Sequence, residues 1–446
     1  MWDEREPSGS DPLNLVRLST DVGIENMKTS GTSVFSNGLI WFGAAVSIAE
    51  IEVGTQLASS ATGGRFGTVL LAMLLGHIAG GLLLFGVGLI GAGMRKNGMD
   101  CVKVPFGRIG ASFFAGANVL QLIGWTAVMI ATGAGAARAM LPSSPLWALC
   151  VFLGVLVALW IRIGLGNAVK LNTVAMALLF VLSLVLFVRV ASGNGGSEVL
   201  EAAETPLGFW DIVELSIAMP LSWLPLIADY TKEAERPVPA VFASALVYTI
   251  TSCWMYGIGL SAAYCLGKTD IGQLMLLAGP GVIGLLIVVF STVTTTFLDA
   301  YSAGESAKSL EPRMPAKWFG VAVCAAGVAL AIYGVMDRYL NFLYLIASVF
   351  APMAAVQLVD YFVLHRRSAT SAGSTVSLLA WAVGFSVYHL CSGAYSPFVA
   401  FFPGLEPVFS KISSPFGASL PAMVAAAIVA IALSPFCRNA CAGENR

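Results

Sequence analysis

Charged residues, histidines and paired cysteines are all scarce in this chain of 446 residues. Only 11% of the residues are charged, against roughly 25% in a soluble globular domain, which indicates a membrane protein. The formal net charge of −1 argues against nucleic-acid binding, because that function needs a basic surface. The three histidines are dispersed and the eight cysteines form no Cys-x-x-Cys motif, so we expect neither a metal centre nor a disulfide framework.

Hydrophobic residues make up 57% of the sequence and are gathered in long runs. A helix that crosses a bilayer needs about 20 mostly apolar residues. On that basis the sequence predicts twelve spans, at residues 35–60, 66–92, 111–137, 146–163, 172–190, 209–228, 240–266, 279–303, 318–335, 341–364, 374–392 and 416–436. Most of the 24 lysines and arginines fall in alternate loops on the side of the two termini, which predicts cytoplasmic termini in the plasma (inner) membrane.

Two of the predicted spans are interrupted midway by polar or helix-breaking residues. The first is interrupted at residues 44–50, and the sixth between Pro220 and Pro225. Freed backbone groups are costly in hydrocarbon, and paired interruptions in matching positions point to the substrate site of a transporter. Each interrupted span opens a group of five spans, and because five is odd the second group is inverted. We therefore expect an all-α membrane protein with twelve transmembrane helices, a five-plus-five inverted repeat, and discontinuous helices 1 and 6.

The predicted organisation follows from these two groups of spans, which are separated by an acidic stretch. It consists of a cytoplasmic N-terminal tail (1–34), a first repeat with helices 1–5 (35–190), an extracellular linker (191–208), a second repeat with helices 6–10 (209–364), helices 11 and 12 (365–436), and a cytoplasmic C-terminal tail (437–446).

Glu50 follows the interruption of the first span directly, with Glu52 close behind. An acidic residue at the centre of a membrane helix costs roughly 2.5–3.5 kcal/mol, so it usually faces a cavity or a partner. The sequence favours a ligand- or proton-handling role for Glu50 over one for Glu52. The alternative is that Glu50 lies near the membrane surface and is simply hydrated. Unwound backbone carbonyls at this interruption are also suited to binding a cation.

The third and sixth spans carry candidate ligand-binding side chains. Gln121 and Trp125 lie four residues apart on one face of the third span, with Asn118 beside them. An amide next to an indole suits a flat heteroaromatic ligand, because the ring stacks on tryptophan while the amide bonds its edge. The alternative is a polar contact between helices. In the sixth span, Ser222 and Trp223 lie between the two prolines, and we expect them to line a cavity.

The eighth span contains a run of hydroxyl residues with Ser291, Thr292 and Thr295. Such oxygens suit sodium when they lie beside freed carbonyls. Hydroxyl runs also occur in membrane helices merely to bond their own backbone, so both interpretations stay open, and the role of Asp299 in the same span is undecided. For His77 in the second span we expect packing or hydrogen bonding rather than proton relay.

The sequence contains four short motifs, which are Ser47-Ile-Ala-Glu-Ile-Glu-Val-Gly54, Gln121-Leu-Ile-Gly-Trp125, Ala228-Asp-Tyr-Thr-Lys232 and Tyr301-Ser-Ala-Gly304. Together they resemble the first family of nucleobase–cation symporters. Within that family the chain most resembles the hydroxymethylpyrimidine permeases associated with thiamin synthesis. The resemblance implies the inverted-repeat fold of bacterial amino-acid symporters, with a planar base bound between the broken helices and spans three and eight.

The resemblance also implies roles for individual residues. Trp125 corresponds to the aromatic that stacks on the base, and Gln121 to the amide that bonds it, although the gap between them is four residues here and three in the cytosine permeases. The complete set of expected substrate ligands is Ser47, Glu50, Gln121, Trp125, Ser222, Trp223 and Thr295. The expected sodium ligands are Ala44, Ser47, Ser291 and Thr292.

The family's eighth-span asparagine is absent, which disfavours cytosine and favours another aminopyrimidine. A protonated Glu50 carboxyl suits the acceptor–donor edge of hydroxymethylpyrimidine. We therefore expect a secondary transporter that imports this compound with sodium or a proton by alternating access. It needs no other cofactor, and its partners are the substrate and the lipid bilayer rather than nucleic acid or an obligate protein. The alternatives are a permease for cytosine or another nucleobase, and an amino-acid symporter of the same fold.

Overall fold

The computed structural model describes residues 31–163, 165–192, 200–278, 281–311, 313–366, 368–393, 396, 399, 404 and 414–444. Within these ranges the chain is helical and contains no β-strand. Helices suit a membrane because each one pairs its own backbone groups internally. Most of the predicted N-terminal tail (1–30), residues 193–199 of the predicted linker and residues 445–446 lie outside the described part.

The helices follow one another in the order expected for twelve spans. They are α1 (Val34–Ala45), α2 (Ile48–Ala58), α3 (Phe66–Met94), α4 (Gly98–Met140), α5 (Leu146–Ile163), α6 (Leu165–Ala191), α7 (Phe209–Ser222), α8 (Ile227–Thr231), α9 (Pro237–Leu266), α10 (Ile271–Ala278), α11 (Gly281–Leu310), α12 (Ala316–Tyr333), α13 (Tyr339–Leu358), α14 (Ser371–Cys391) and α15 (Ser419–Glu444). Among the residues that the structure describes, six segments are long and apolar enough to cross a membrane by themselves, and the bent pair α1–α2 forms a seventh.

The start of the third span differs from its prediction at residue 111. Helix α4 begins at Gly98, where the side chain of Asn97 accepts a hydrogen bond from the backbone of Asp100, and it bends at Gly107. Gly107 has φ 66° and ψ −171°, a conformation that favours glycine because it has no Cβ. The apolar run that the sequence shows from 111 onward is therefore only the part of α4 beyond this bend.

The first span is discontinuous, as predicted. Helix α1 ends at Ala45, Val46 and Ser47 leave helical geometry, and α2 begins at Ile48 with its axis turned by 48°. The hydroxyl of Ser47 accepts from the backbone N–H of Glu50 at 3.3 Å. A serine in this position caps the new helix by satisfying one of its free N–H groups.

The sixth span is discontinuous as well. Helix α7 ends at Ser222, residues 223–226 form turns, and α8 resumes at Ile227. Pro225 lies in this gap and has no N–H to continue a helical ladder. The two breaks confirm the expectation of discontinuous helices 1 and 6.

Small residues bring the broken helices close to their neighbours. A Cβ added to Gly54 of α2 would lie 2.2 Å from the backbone oxygen of Tyr256, and one added to Gly259 of α9 would lie 2.0 Å from that of Ile51. In the same way, a Cβ at Gly80 of α3 would lie 2.4 Å from the ring of Pro220. Such glycines let membrane helices approach backbone to backbone. One set of packed helices thus includes both breaks together with α3 and α9.

A second set of helices packs around α4. Helix α4 lies against α11 so closely that a Cβ at Gly133 would be 2.4 Å from the hydroxyl oxygen of Thr292. A Cβ added to Gly327 of α12 would likewise lie 2.4 Å from Cγ2 of Thr126 on α4. The candidate side chains of α4 therefore project from a helix that is held by α11 and α12.

Candidate substrate site at the two helix breaks

The break in the sixth span releases a backbone carbonyl. The backbone N–H of Leu226 donates to the oxygen of Trp223 at 3.0 Å, not to that of Ser222 four residues earlier. The freed Ser222 oxygen accepts instead from the side-chain amide of Gln121, at 2.8 Å. The hydroxyl of Ser222 is engaged within its own helix, donating to Met219 O at 2.7 Å. Ser222 and Gln121, both expected at the site, are thus in direct contact through the main chain of Ser222.

A chain of hydrogen bonds continues from Gln121 into the eighth span. Gln121 Nε2 also donates to Asn118 Oδ1 at 2.7 Å, and Asn118 Nδ2 donates to Ser306 Oγ of α11 at 2.7 Å. All three side chains are buried, yet Gln121 Oε1 has no hydrogen-bond partner. A buried acceptor without a partner costs free energy, so this oxygen is a candidate contact for a ligand.

Trp223 belongs to a group of buried aromatic rings beside the sixth-span break. Its ring lies 5.5 Å from that of Trp41 and 6.2 Å from that of Tyr248, in edge-on geometry. Trp41 also contacts Tyr230 at 5.9 Å and Tyr248 at 5.7 Å. The indole N–H of Trp41 is buried without a partner. The cluster joins the first, sixth and seventh spans.

Trp125 lies one turn beyond Gln121 on α4 and faces the tenth span. Its ring is edge-on to Phe342 at 5.4 Å and to Tyr339 at 6.1 Å. The indole N–H of Trp125 is buried and has no partner. The hydroxyl of Tyr339 donates to the backbone oxygen of Ala49 at 3.4 Å. Tyr339 therefore links Trp125 to the break in the first span.

Glu50 is buried and bonded to the seventh span. Its Oε1 accepts from the hydroxyl of Tyr248 at 3.1 Å, and its Oε2 lies 2.6 Å from Ser252 Oγ. Ser252 Oγ in turn lies 2.9 Å from His77 Nε2, while His77 Nδ1 lies 2.9 Å from the oxygen of Met73. Both carboxyl oxygens therefore have protein partners, so direct pairing of Glu50 with a substrate stays a prediction. His77 is hydrogen-bonded, as expected.

The other two acidic candidates differ in their surroundings. Glu52 is partly buried and accepts from Gln56 at 3.1 Å on its own helix. Asp299 is buried, and its Oδ2 has no hydrogen-bond partner. In the part of the chain that the structure describes, no group of three His, Cys, Asp or Glu side chains could hold a metal ion.

The expected sodium ligands lie on the first and eighth spans. Ala44 precedes the break, and the hydroxyl of Ser47 caps α2. On α11, Thr295 Oγ1 donates to Ser291 O at 2.9 Å, and the side chain of Thr292 lies against Gly133. All of these residues are buried, and their oxygens are the hard donors that suit sodium. The hydroxyl of Thr295 follows the alternative interpretation, in which it bonds its own helix.

Several residues of this region escaped the sequence analysis. Trp41, Tyr248, Ser252 and Tyr339 all contact the predicted site residues, yet they belong to no motif. Tyr248 and Ser252 are four residues apart, with Tyr256 four further on, so one face of α9 carries a regular polar row. That spacing is the signal from which the partners of Glu50 could have been found.

Comparison with known proteins identifies a family of permeases. A family model described as a permease for cytosine/purines, uracil, thiamine and allantoin matches residues 28–392. YxlA of Bacillus subtilis, by name a candidate purine-cytosine permease, is 25% identical over an alignment of 349 residues, and the match covers 73% of this chain and 75% of YxlA. The purine-cytosine permease fcyB of Emericella nidulans is 24% identical over 402 residues, covering 78% of this chain and 75% of fcyB.

Solved structures share the fold. Mhp1, a nucleobase-cation-symport-1 family transporter solved in a closed conformation with bromovinylhydantoin, aligns with a TM-score of 0.70 at 18% identity, over 92% of this chain and 93% of Mhp1. A Na⁺-coupled sialic acid symporter aligns with a TM-score of 0.53 at 12% identity, over 87% of this chain and 89% of that one. Because the family model matches most of its length, this chain belongs to the family of permeases for cytosine/purines, uracil, thiamine and allantoin, and it is a multi-pass membrane transporter rather than an enzyme.

Proposed function

We propose that this transporter imports a small aminopyrimidine, best represented by hydroxymethylpyrimidine, across the plasma membrane together with sodium or a proton. Both termini lie in the cytoplasm in this proposal, and the solute crosses by alternating access. The two repeats have the boundaries proposed above, 35–190 and 209–364. Family membership supports a nucleobase-like substrate, and the Na⁺-coupled sialic acid symporter supports coupling to a cation.

The observation that carries the proposal is the unpaired oxygen of Gln121 at the sixth-span break. This oxygen is buried close to the freed Ser222 carbonyl. The unpaired indole N–H groups of Trp41 and Trp125 supply donors in the same region of the two breaks. A flat heterocycle with N–H groups and ring nitrogens on its edges complements such a set, and apolar walls with a few polar groups are typical of small-molecule sites.

The residue roles in this proposal follow the contacts described above. Gln121 bonds the edge of the pyrimidine, Trp125 and Trp223 provide aromatic faces, and the break at Ser222 gives backbone access. Ser47, Glu50 and Thr295 complete the proposed substrate set. The main-chain oxygens of Ala44 and Ser47, with the hydroxyls of Ser291 and Thr292, form the proposed sodium site.

A permease for cytosine or another nucleobase is the second candidate, and the names of the relatives favour it. The absence of the family's eighth-span asparagine favours the aminopyrimidine over cytosine. An amino-acid symporter of the same fold is a weaker candidate. Amino-acid sites leave half-helix N-termini free for a carboxylate, and Glu50 lies in the first turn of α2, where it would repel such a group.

Uptake by the purified protein in liposomes tests the proposal. Labelled hydroxymethylpyrimidine is offered with and without a sodium gradient, and with and without an inward proton gradient, while unlabelled cytosine, thiamin and leucine compete. We expect gradient-dependent uptake that cytosine inhibits weakly and leucine leaves unchanged. Strong inhibition by cytosine would favour the second candidate, and uptake of leucine instead of the pyrimidine would contradict the proposal.

A further inference from the structure

We propose that Asn118, held by Ser306, is a positioning residue that fixes the side-chain amide of Gln121, so that the transporter selects solutes with an N–H donor on the edge that meets Gln121. The inference rests on the proposed function and deepens it. It concerns which hydrogen-bonding pattern the solute must carry, and which residues outside the predicted site impose that pattern.

The orientation of the Gln121 amide follows from its contact with the sixth span. The backbone oxygen of Ser222 can only accept a hydrogen bond. The atom of Gln121 that lies 2.8 Å from it is therefore the nitrogen. If the amide were turned by half a rotation, two carbonyl oxygens would face each other in a buried place. One backbone carbonyl, released by the helix break, thus sets the polarity of this side chain.

The second N–H of Gln121 is committed by Asn118. Gln121 Nε2 donates to Asn118 Oδ1 at 2.7 Å, and Asn118 Nδ2 then donates to Ser306 Oγ at 2.7 Å. Turning the Asn118 amide would place two N–H groups against each other. Asn118, Gln121 and Ser306 are 0%, 4% and 3% exposed, so water cannot readily compensate for a lost bond. The orientations of both amides are therefore fixed by one continuous chain of hydrogen bonds, which joins the sixth, third and eighth spans.

The result is that Gln121 has no hydrogen left to give to a solute. An amide nitrogen carries two hydrogens, and both are used within the protein. What remains is Oε1, which is buried without a partner. A solute that offers an amino group or a ring N–H satisfies this oxygen. A solute that offers a methyl group leaves it unsatisfied, and one that offers a carbonyl repels it.

Two isosteric pyrimidines test this selectivity on the purified protein. One is hydroxymethylpyrimidine, and the other carries a methyl group where the first carries its amino group. Binding of each is measured by calorimetry or by quenching of tryptophan fluorescence. Because the methyl compound leaves the buried Oε1 unsatisfied, we expect the amino compound to bind about 10-fold or more tightly than the methyl compound, a difference of about 1.4 kcal/mol.

Two substitutions of Asn118 separate positioning from general stability. Asn118→Asp keeps an oxygen to accept from Gln121 and an oxygen that pairs with the Ser306 hydroxyl, so the preference for the amino compound is retained. Asn118→Leu frees one N–H of Gln121, so the preference falls to about 3-fold or less. Ser306→Ala, a milder change at the far end of the chain, is measured as well and should lower the preference in the same direction.

The outcomes distinguish this inference from the proposed function. Equal binding of the two pyrimidines by the unsubstituted protein contradicts the inference and leaves pyrimidine transport standing. The inference is also wrong if Asn118→Leu, or Ser306→Ala where the leucine variant does not fold, keeps the full preference. If neither pyrimidine binds while cytosine or leucine does, the proposed substrate is wrong and the inference goes with it.

Discussion

The two helix breaks of this transporter differ in whether the polar side chains beside them have hydrogen-bond partners. At the first break, Ser47 caps the new helix and both oxygens of Glu50 have partners on α9. At the second break, Ser222 exposes a backbone oxygen to Gln121, whose own oxygen is left without a partner. Ser47 and Glu50 at the first break therefore have partners within the protein, whereas Gln121 at the second break keeps an unpaired oxygen. In the proposed function, the substrate binds to this oxygen.

The breaks also differ in what they are attached to. The first is bonded to α9, which packs against it at backbone distance, and through Ser252 to His77 of α3. The second is bonded to Gln121 of α4, which belongs to the other set of helices. Alternating access involves rocking of one helix set against the other. We therefore expect the Gln121–Ser222 contact to change between states and the Glu50 contacts to persist.

Replacing Gly259 with alanine should give the largest effect, because it forces the first break away from α9. The new Cβ would lie 2.0 Å from Ile51 O, and overpacking of this kind costs about 3 kcal/mol. We expect a large drop in thermal stability and loss of uptake. Gly257→Ala is the matched control, since the nearest atom to its Cβ is Met73 Cε at 4.0 Å. Equal tolerance of both variants would mean that the first break is not built against α9.

Removing the carboxyl of Glu50 should have the next largest effect. Ala at position 50 leaves the hydroxyls of Tyr248 and Ser252 without their buried partner, which costs about 1–3 kcal/mol. We expect reduced thermal stability and uptake below about a tenth of the unsubstituted level, a fall that corresponds to about 1.4 kcal/mol. Thermal unfolding and initial uptake rates measure the two effects.

Glutamine at position 50 provides the sharper comparison. The Ser252 hydroxyl donates to Glu50. Opposite a glutamine N–H it can turn its single hydrogen to Nε2 of a neutral His77, because Nδ1–H of that ring donates to Met73 O. Ser252 then needs a donor in turn, which a glutamine N–H provides. Glu50→Gln should therefore retain near-normal stability and measurable uptake. A glutamine variant as damaged as the alanine variant would show that the first break needs a negative charge.

Much of the fold follows from the sequence because helix length and helix breakage are local properties. Apolar runs of about 20 residues indicate spans, and the pair Pro220 and Pro225 predicts an interruption of the sixth span. The start of α4 was misplaced because Asp100, Lys103 and Pro105 interrupt the apolar residues that precede Gly107, although Asn97 and Asp100 form a recognisable helix start. The two sets of packed helices depend on contacts between distant segments, which no local pattern contains.

The candidate site was predictable only in part for the same reason. Gln121 and Trp125 were found because both lie on one face of one helix. Ser306, the partner of Asn118, lies 188 residues further along the chain, and Tyr339, whose ring lies against Trp125, lies some 210 residues after Trp125. Nothing in their own segments marks them. The sequence also identified Ser222 by its place between two prolines, but not that its main-chain oxygen, rather than its hydroxyl, contacts Gln121. A side-chain pattern cannot reveal which backbone group a break sets free.

Replacing Ser222 with alanine should have the smallest effect, and it tests which part of Ser222 matters at the second break. Its hydroxyl donates to Met219 O within its own helix, while its backbone oxygen, which alanine retains, accepts from Gln121. We expect hydroxymethylpyrimidine to bind within about 3-fold of the unsubstituted affinity, less than the loss of one hydrogen bond at about 1 kcal/mol. Gln121→Leu, which removes the amide on the other side of the same contact, should weaken binding about 10-fold or more. A loss of about 10-fold in Ser222→Ala would mean that the hydroxyl of Ser222 contacts the substrate directly. The second break would then bind the solute through a side chain as well as through its backbone.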